Sequence, residues 1–177
     1  WRAAMDARVT PLVTILDLNT DLLVNTLDGL TDSEAQHRLA GGGNSIAFLA
    51  THLTDSRHFL ASRLGHPLSN PLALYLADAK SIDEIRSWAT LDQVRAAWIA
   101  VSAHLLGVLE SVGTEELDRP QAHRFPCSDT TALGMVAFLT QHDSYHIGQA
   151  AFVRRQLGKP AMTYTRGSRN AAPAAAV

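Results

Sequence analysis

Apolar residues recur at helical spacing over four stretches of the chain, and no stretch shows the two-residue alternation of a half-buried strand. Over residues 9–28, Val9, Leu12, Leu16, Leu23 and Leu27 trace one stripe. Residues 46–64 carry a second, of Leu49, His52, Leu53, Ser56, Phe59 and Leu60, preceded by a triple-glycine loop and by Ser45 as the expected cap. Gly65 and Pro67 stop that helix. The third begins at Thr90-Leu91-Asp92-Gln93, a capping box, and its stripe of Val94, Trp98, Val101, Leu105, Val108 and Val112 ends at Gly113. The fourth runs over residues 131–157, with Asp129 as its expected cap and Gly158 and Pro160 behind it.

The expected fold is therefore all-α, a four-helix bundle in one domain over residues 1–164. Residues 165–177 lack apolar periodicity and are expected to form a mobile tail. A long connection with a short apolar turn near residues 72–76 and another near 83–87 separates the second and third helices. It can cross the length of a bundle, since a twenty-residue helix spans only about 30 Å.

The fourth stripe has a polar interruption. In His142-Asp143-Ser144-Tyr145-His146-Ile147-Gly148-Gln149, winding at about 100° per residue puts His142, His146 and Gln149 on the side shared with Met135, Phe138, Leu139 and Val153. Buried imidazoles need partners. The second stripe offers His52 near its middle, so three histidines at similar depth form a candidate site for a divalent first-row metal. H-x-x-x-H alone also describes exposed or hydrogen-bonded pairs; the shared stripe, Gln149 and His52 favour the metal.

The remaining polar candidates read differently. His104 reads as a core or rim residue, and His58 points away from the site. His37, His66 and His123 fall in loops or at helix ends. Asp55 and Ser56, one turn beyond His52, are positioned to orient that ring or line a pocket. Tyr145 is within reach of a ligand or packs between helices, and Asp143 is expected to be solvated. Cys127 precedes the fourth helix, where the N-terminal dipole lowers a thiol pKa, but no histidine lies near it in sequence. Trp88 and Trp98 read as packing residues.

Composition narrows the partners. The chain has 177 residues, a net charge of -2 and a pI near 6.5, so neither a basic nucleic-acid surface nor a polybasic membrane patch is present. No apolar run approaches about 18 residues, the length of a spanning helix. The single cysteine and an opening segment without a signal-type apolar run lead to the expectation of a cytoplasmic chain.

On the segments NSIAFLATHLTDSRHFLASRLG and LGMVAFLTQHDSYHIGQAAFVRRQLGKP, and on H-x-x-x-H-x-x-Q followed by R-R-x-x-G, the chain resembles the DinB superfamily of metal-binding four-helix bundles, over residues 9–164. The resemblance implies an up-down-down-up helix order, a homodimer, and one divalent ion held by His52, His142 and His146. Zinc or nickel leads, with iron and manganese behind. Gln149 then supports the ligands or contacts what occupies the open position. Some members are thiol S-transferases or isomerases that use mycothiol or bacillithiol, and thirteen arginines against two lysines lean weakly toward the first. This makes thiol transfer onto a small-molecule substrate the leading expectation. A metal-dependent hydrolase and a non-enzymatic module stapled by its metal are the alternatives.

Overall fold

The computed structural model describes residues 5–40, 42–77, 79 and 81–167. Seven helices are found among them: α1 (Thr10–Leu27), α2 (Asp32–Gln36), α3 (Ile46–Arg63), α4 (Ala73–Leu76), α5 (Leu91–Ser111), α6 (Thr114–Asp118) and α7 (Ala132–Gln156). The four long ones match the four stripes to within a residue or two at each end. Ser45 Oγ accepts from Phe48 N, and the Thr90–Gln93 box closes in both directions. Gly65 and Gly158 take the left-handed backbone that ends α3 and α7 (φ 83° and 79°).

Asp129 is not the cap of α7. Thr131 is, and Asp129 Oδ1 instead accepts from Thr131 N and Oγ1, fixing the loop two residues earlier. That loop is closed by an isolated bridge between Pro120 and Thr131. The connection between α3 and α5 holds α4 and one 3-10 turn, Ile82–Glu84.

Each long helix packs against two others: α1 and α3 both touch α5 and α7. The core has two apolar layers. One contains Leu22, Leu23 and Leu27 of α1, Ile46 and Leu53 of α3, Val94 and Trp98 of α5, and Ile147 and Val153 of α7. The other contains Leu16 of α1, Leu60 of α3, Leu105 and Leu109 of α5, and Met135 and Leu139 of α7. Residue numbers rise toward the first layer in α1 and α7 and fall toward it in α3 and α5. The order is thus up-down-down-up, and α3 and α5 run the same way, which is why their connection must be long. By length and composition α5 is apolar enough to cross a membrane, but its apolar side is packed against α1 and α3.

Between the layers lies a buried polar belt of Thr20, Arg57, Ser102, Thr140 and Asp143. Arg57 is its hub and reaches all three other long helices. Its Nε donates to Asp143 Oδ2 of α7 (2.8 Å), Nη1 to Thr20 Oγ1 of α1 (2.8 Å) and to Ser102 Oγ of α5, and Nη2 to the Leu16 carbonyl (3.0 Å). The guanidinium carbon stands 3.7 Å from the centroid of Trp98. Asp143 is therefore buried and ion-paired, not solvated: it lies a quarter-turn from His142, on the side of α7 that faces the bundle axis. Burial pushes its carboxyl up while the charge of Arg57 pulls it down.

The end of the chain is partly anchored. Asn25 Nδ2 donates to the carbonyls of Thr163 and Thr165, and Gly167 N to Asp21 Oδ2. Of the segment expected to be a mobile tail, 165–167 thus bond to α1; 168–177 lie outside the described residues.

Candidate metal centre

α3 brings His52, and α7 brings His142 and His146, to one place at the height of the polar belt. His52 Nε2 and His142 Nε2 lie 3.1 Å apart. Ring centroids are 5.0 Å apart for His52 and His142, 5.2 Å for His52 and His146, and 4.4 Å for His142 and His146, all edge-to-face. One ligand nitrogen from each lies within 4.8 Å of the others, and among the described residues this is the one group of three or more such side chains so placed.

The histidines do not point to the bundle axis, as the shared stripe led us to expect. The buried side of α7 is Val136, Leu139, Thr140, Asp143, Ile147 and Ala150, whereas His142 and His146 are half-buried on the flank toward α3. Phe59, also expected inward, is 40% exposed. The rotation follows from Arg57 and Asp143: once these take the axis, the neighbouring positions are turned to the seam between α3 and α7. A seam keeps the site open to solvent on one side.

Gln149 is bonded to His146. Its Oε1 lies 2.6 Å from His146 Nδ1, which makes that nitrogen the donor and leaves Nε2 for an ion, and its Nε2 donates to Tyr145 Oη (3.1 Å). An aromatic wall flanks the site. Phe48 stacks parallel on His52 at 5.8 Å, Phe138 lies 6.2 Å from His142, and Phe125 joins Phe138 to Phe59. The other candidates are elsewhere. Asp55 accepts from Asn70 Nδ2 (2.9 Å), and Ser56 Oγ donates to the His52 carbonyl. His58 Nδ1 meets the Leu68 carbonyl, and His104 Nε2 meets that of His66. His123 packs on Phe125, and His37 is exposed.

The donor set fits a divalent ion. Burial, then the neighbouring His146 and His52, push the His142 ring down to about 4, and burial lowers His52 in the same direction. Both therefore stay neutral, the ligating form, at neutral pH. One feature is less complete: His142 Nδ1 is buried without a hydrogen-bond partner.

The lowered pKa gives a signed expectation for metal-free protein. Between pH 6.5 and about 4 the unfolded chain binds a proton at His142 that the folded chain does not, so stability falls as pH falls through that window and is full above it. Urea midpoints of chelated protein should drop from pH 7.5 to pH 5, and His142→Ala should flatten the slope. An unchanged slope in His142→Ala would remove His142 as its source.

This geometry, a four-helix bundle with three histidines gathered between its second and fourth long helices, defines a class of metal-binding bundles. The family model of the DinB superfamily matches residues 15–150, and the chain belongs to that superfamily. No curated protein and no solved structure matches the chain significantly.

Proposed function

We propose that His52, His142 and His146 hold one divalent ion, zinc or nickel, and that the protein is an enzyme joining a low-molecular-weight thiol of the mycothiol or bacillithiol kind to an electrophilic carbon. The observation that carries this reading is how the two carboxylates nearest the three imidazoles are engaged. Asp143 is held by Arg57 in the core, and Asp55 is bonded to Asn70. A hydrolase that relies on a protein base would need one of these carboxylates free, whereas a thiol already ionises near neutral pH under a metal's charge.

When bound, the ion supplies Lewis acidity that lowers a thiol's pKa. The chain supplies the rest. His146 is oriented through Gln149, Phe48 and Phe138 keep water from two sides of the imidazoles, and Tyr145 offers a hydroxyl at the rim. The sulfur–carbon bond would form as that carbon's bond to its leaving group breaks; the leaving group departs with the electron pair, and the thiol proton passes to solvent.

The test is a screen of thiols against reactive electrophiles, with wild type, chelated protein and two variants. Turnover should require both metal and thiol. Gln149→Ala should keep the metal and lose about 10–100-fold in rate, the usual effect of releasing a ligand's supporting hydrogen bond. Cys127→Ser should be neutral, since its Sγ is occupied by the Asp129 carbonyl at 3.1 Å. If no thiol perturbs the visible spectrum of a cobalt-substituted site while ester or amide cleavage tracks metal content, the protein is a hydrolase.

A further inference from the structure

Gly148 lies inside α7, where glycine loosens a helix relative to alanine, and nothing in the fold requires it. Its φ is not positive, and a Cβ built on it meets no atom within 4 Å. Gly134 of the same helix is the contrast: there a Cβ would fall 2.2 Å from the Asp129 carbonyl oxygen. The space above Gly148 belongs to a cleft of about 570 Å³. Gly107 of α5 is also open, but over a smaller depression of about 350 Å³ that shares no residue with the histidine cluster or its hydrogen-bond partners.

The cleft runs between the loop before α3 and the second half of α7. Leu39, Leu49, Phe152 and Val153 give it apolar walls, and Asn44, Tyr145 and Gln149 are its polar side chains; no charged residue lines it. Phe152 and Tyr145 stay 60% and 56% exposed on its border, large aromatic area left in water. Gln149 and Tyr145 are also the pair that reaches His146. An apolar cavity with a few uncharged polar groups at one end, next to a cluster of metal-competent imidazoles, is the usual form of a small-molecule site.

We infer that this cleft binds the electrophilic co-substrate, an uncharged, largely apolar, ring-containing molecule. It lies over Gly148 against Leu49 and Phe152, with its polar end toward Tyr145 and Gln149. Naming it the electrophile rests on the proposed thiol chemistry; binding of a neutral apolar ligand does not. The glycine keeps the floor of the cleft flat, which accounts for a residue the helix itself does not favour. In metal-free protein a charged ligand would lose hydration there without meeting a charged lining residue.

The test uses the neutral fluorophore N-phenyl-1-naphthylamine and its anionic relative 8-anilinonaphthalene-1-sulfonate, titrated into full-length protein with and without metal. The neutral probe should bind wild type with blue-shifted emission in both forms, and in the metal-free protein the sulfonate should bind about tenfold more weakly or worse. Gly148→Ala should melt no lower than wild type, because the added Cβ meets open space in a helix. Gly148→Leu should remain folded and weaken the neutral probe about tenfold or more, and Phe152→Ala should weaken it from the opposite wall. Unchanged affinity in both Gly148→Leu and Phe152→Ala, or tighter binding of the sulfonate by metal-free protein, overturns the inference. Probe binding needs no thiol, so the two readings fail separately. A thiol screen that fails beside an intact probe response removes the proposed function alone. Wild-type turnover and probe affinity in Gly148→Leu remove the cleft alone.

Discussion

Arg57→Met is expected to lower stability by about 3–5 kcal/mol, the range for removing one partner of a buried ion pair. Both Arg57 and Asp143 are 2% exposed at the side chain, and Nε donates to Oδ2 at 2.8 Å. Methionine keeps an unbranched stem like that of arginine but offers Asp143 nothing, and it also releases Thr20, Ser102 and the Leu16 carbonyl. The stranded carboxyl must take up a proton or draw water into the belt; both cost free energy. The double variant Arg57→Met, Asp143→Leu removes the charge on each side and should recover most of the loss, since apolar replacement of a whole buried pair is often neutral. Urea melts of the two singles and the double close the cycle. A double variant no more stable than Arg57→Met would mean that the hydroxyl and carbonyl bonds of Arg57, more than its pairing with Asp143, hold the belt together.

Much of the bundle was legible because apolar periodicity and capping chemistry report on local structure. The Thr90–Gln93 box, Ser45 and the positive-φ glycines act within a few residues of themselves, and the long helices begin and end where they predict. The same kind of signal stands at Thr31–Glu34, the capping box of the short α2, but that helix has no apolar stripe of its own to mark it. The triad was legible for a different reason: i, i+4 spacing on one helix and a histidine at similar depth on its neighbour bring three nitrogens together.

The orientation of the site was not legible, and the reason is Arg57. It falls four residues after Leu53 and three before Leu60, in the middle of a buried stripe. A charge there marks a polar core, but its partners Thr20, Ser102 and Asp143 are far away in sequence. Without them Asp143 reads as a surface acid and the histidines as the centre of the helix's inner face. Pairing across the bundle axis turns α7 so that His142 and His146 lie at the seam. The same rotation places Gln149 and Gly148 on the open cleft.

Replacing His142 and His146 together by alanine should take metal content from about one ion per chain to near zero, while the helical circular dichroism persists. Two of three donors are lost, and His52 alone offers one nitrogen, too few to hold an ion against water. The fold does not depend on those rings. His142 and His146 are half-buried on a flank, whereas the apolar layers contain buried apolar side chains from all four long helices, each leucine, valine, isoleucine or methionine contributing about 1.5–3 kcal/mol of burial. The Arg57 belt is also independent of the imidazoles, since none of its bonds ends on one. Elemental analysis of protein purified without added metal, run on wild type and variant, gives the first result; thermal melts of the same samples give the second. Full metal content in the variant would remove the site assignment. Loss of helical signal in the variant, or in chelated wild type at room temperature, would make the ion a structural staple and favour a metal-stabilised module over the proposed enzyme.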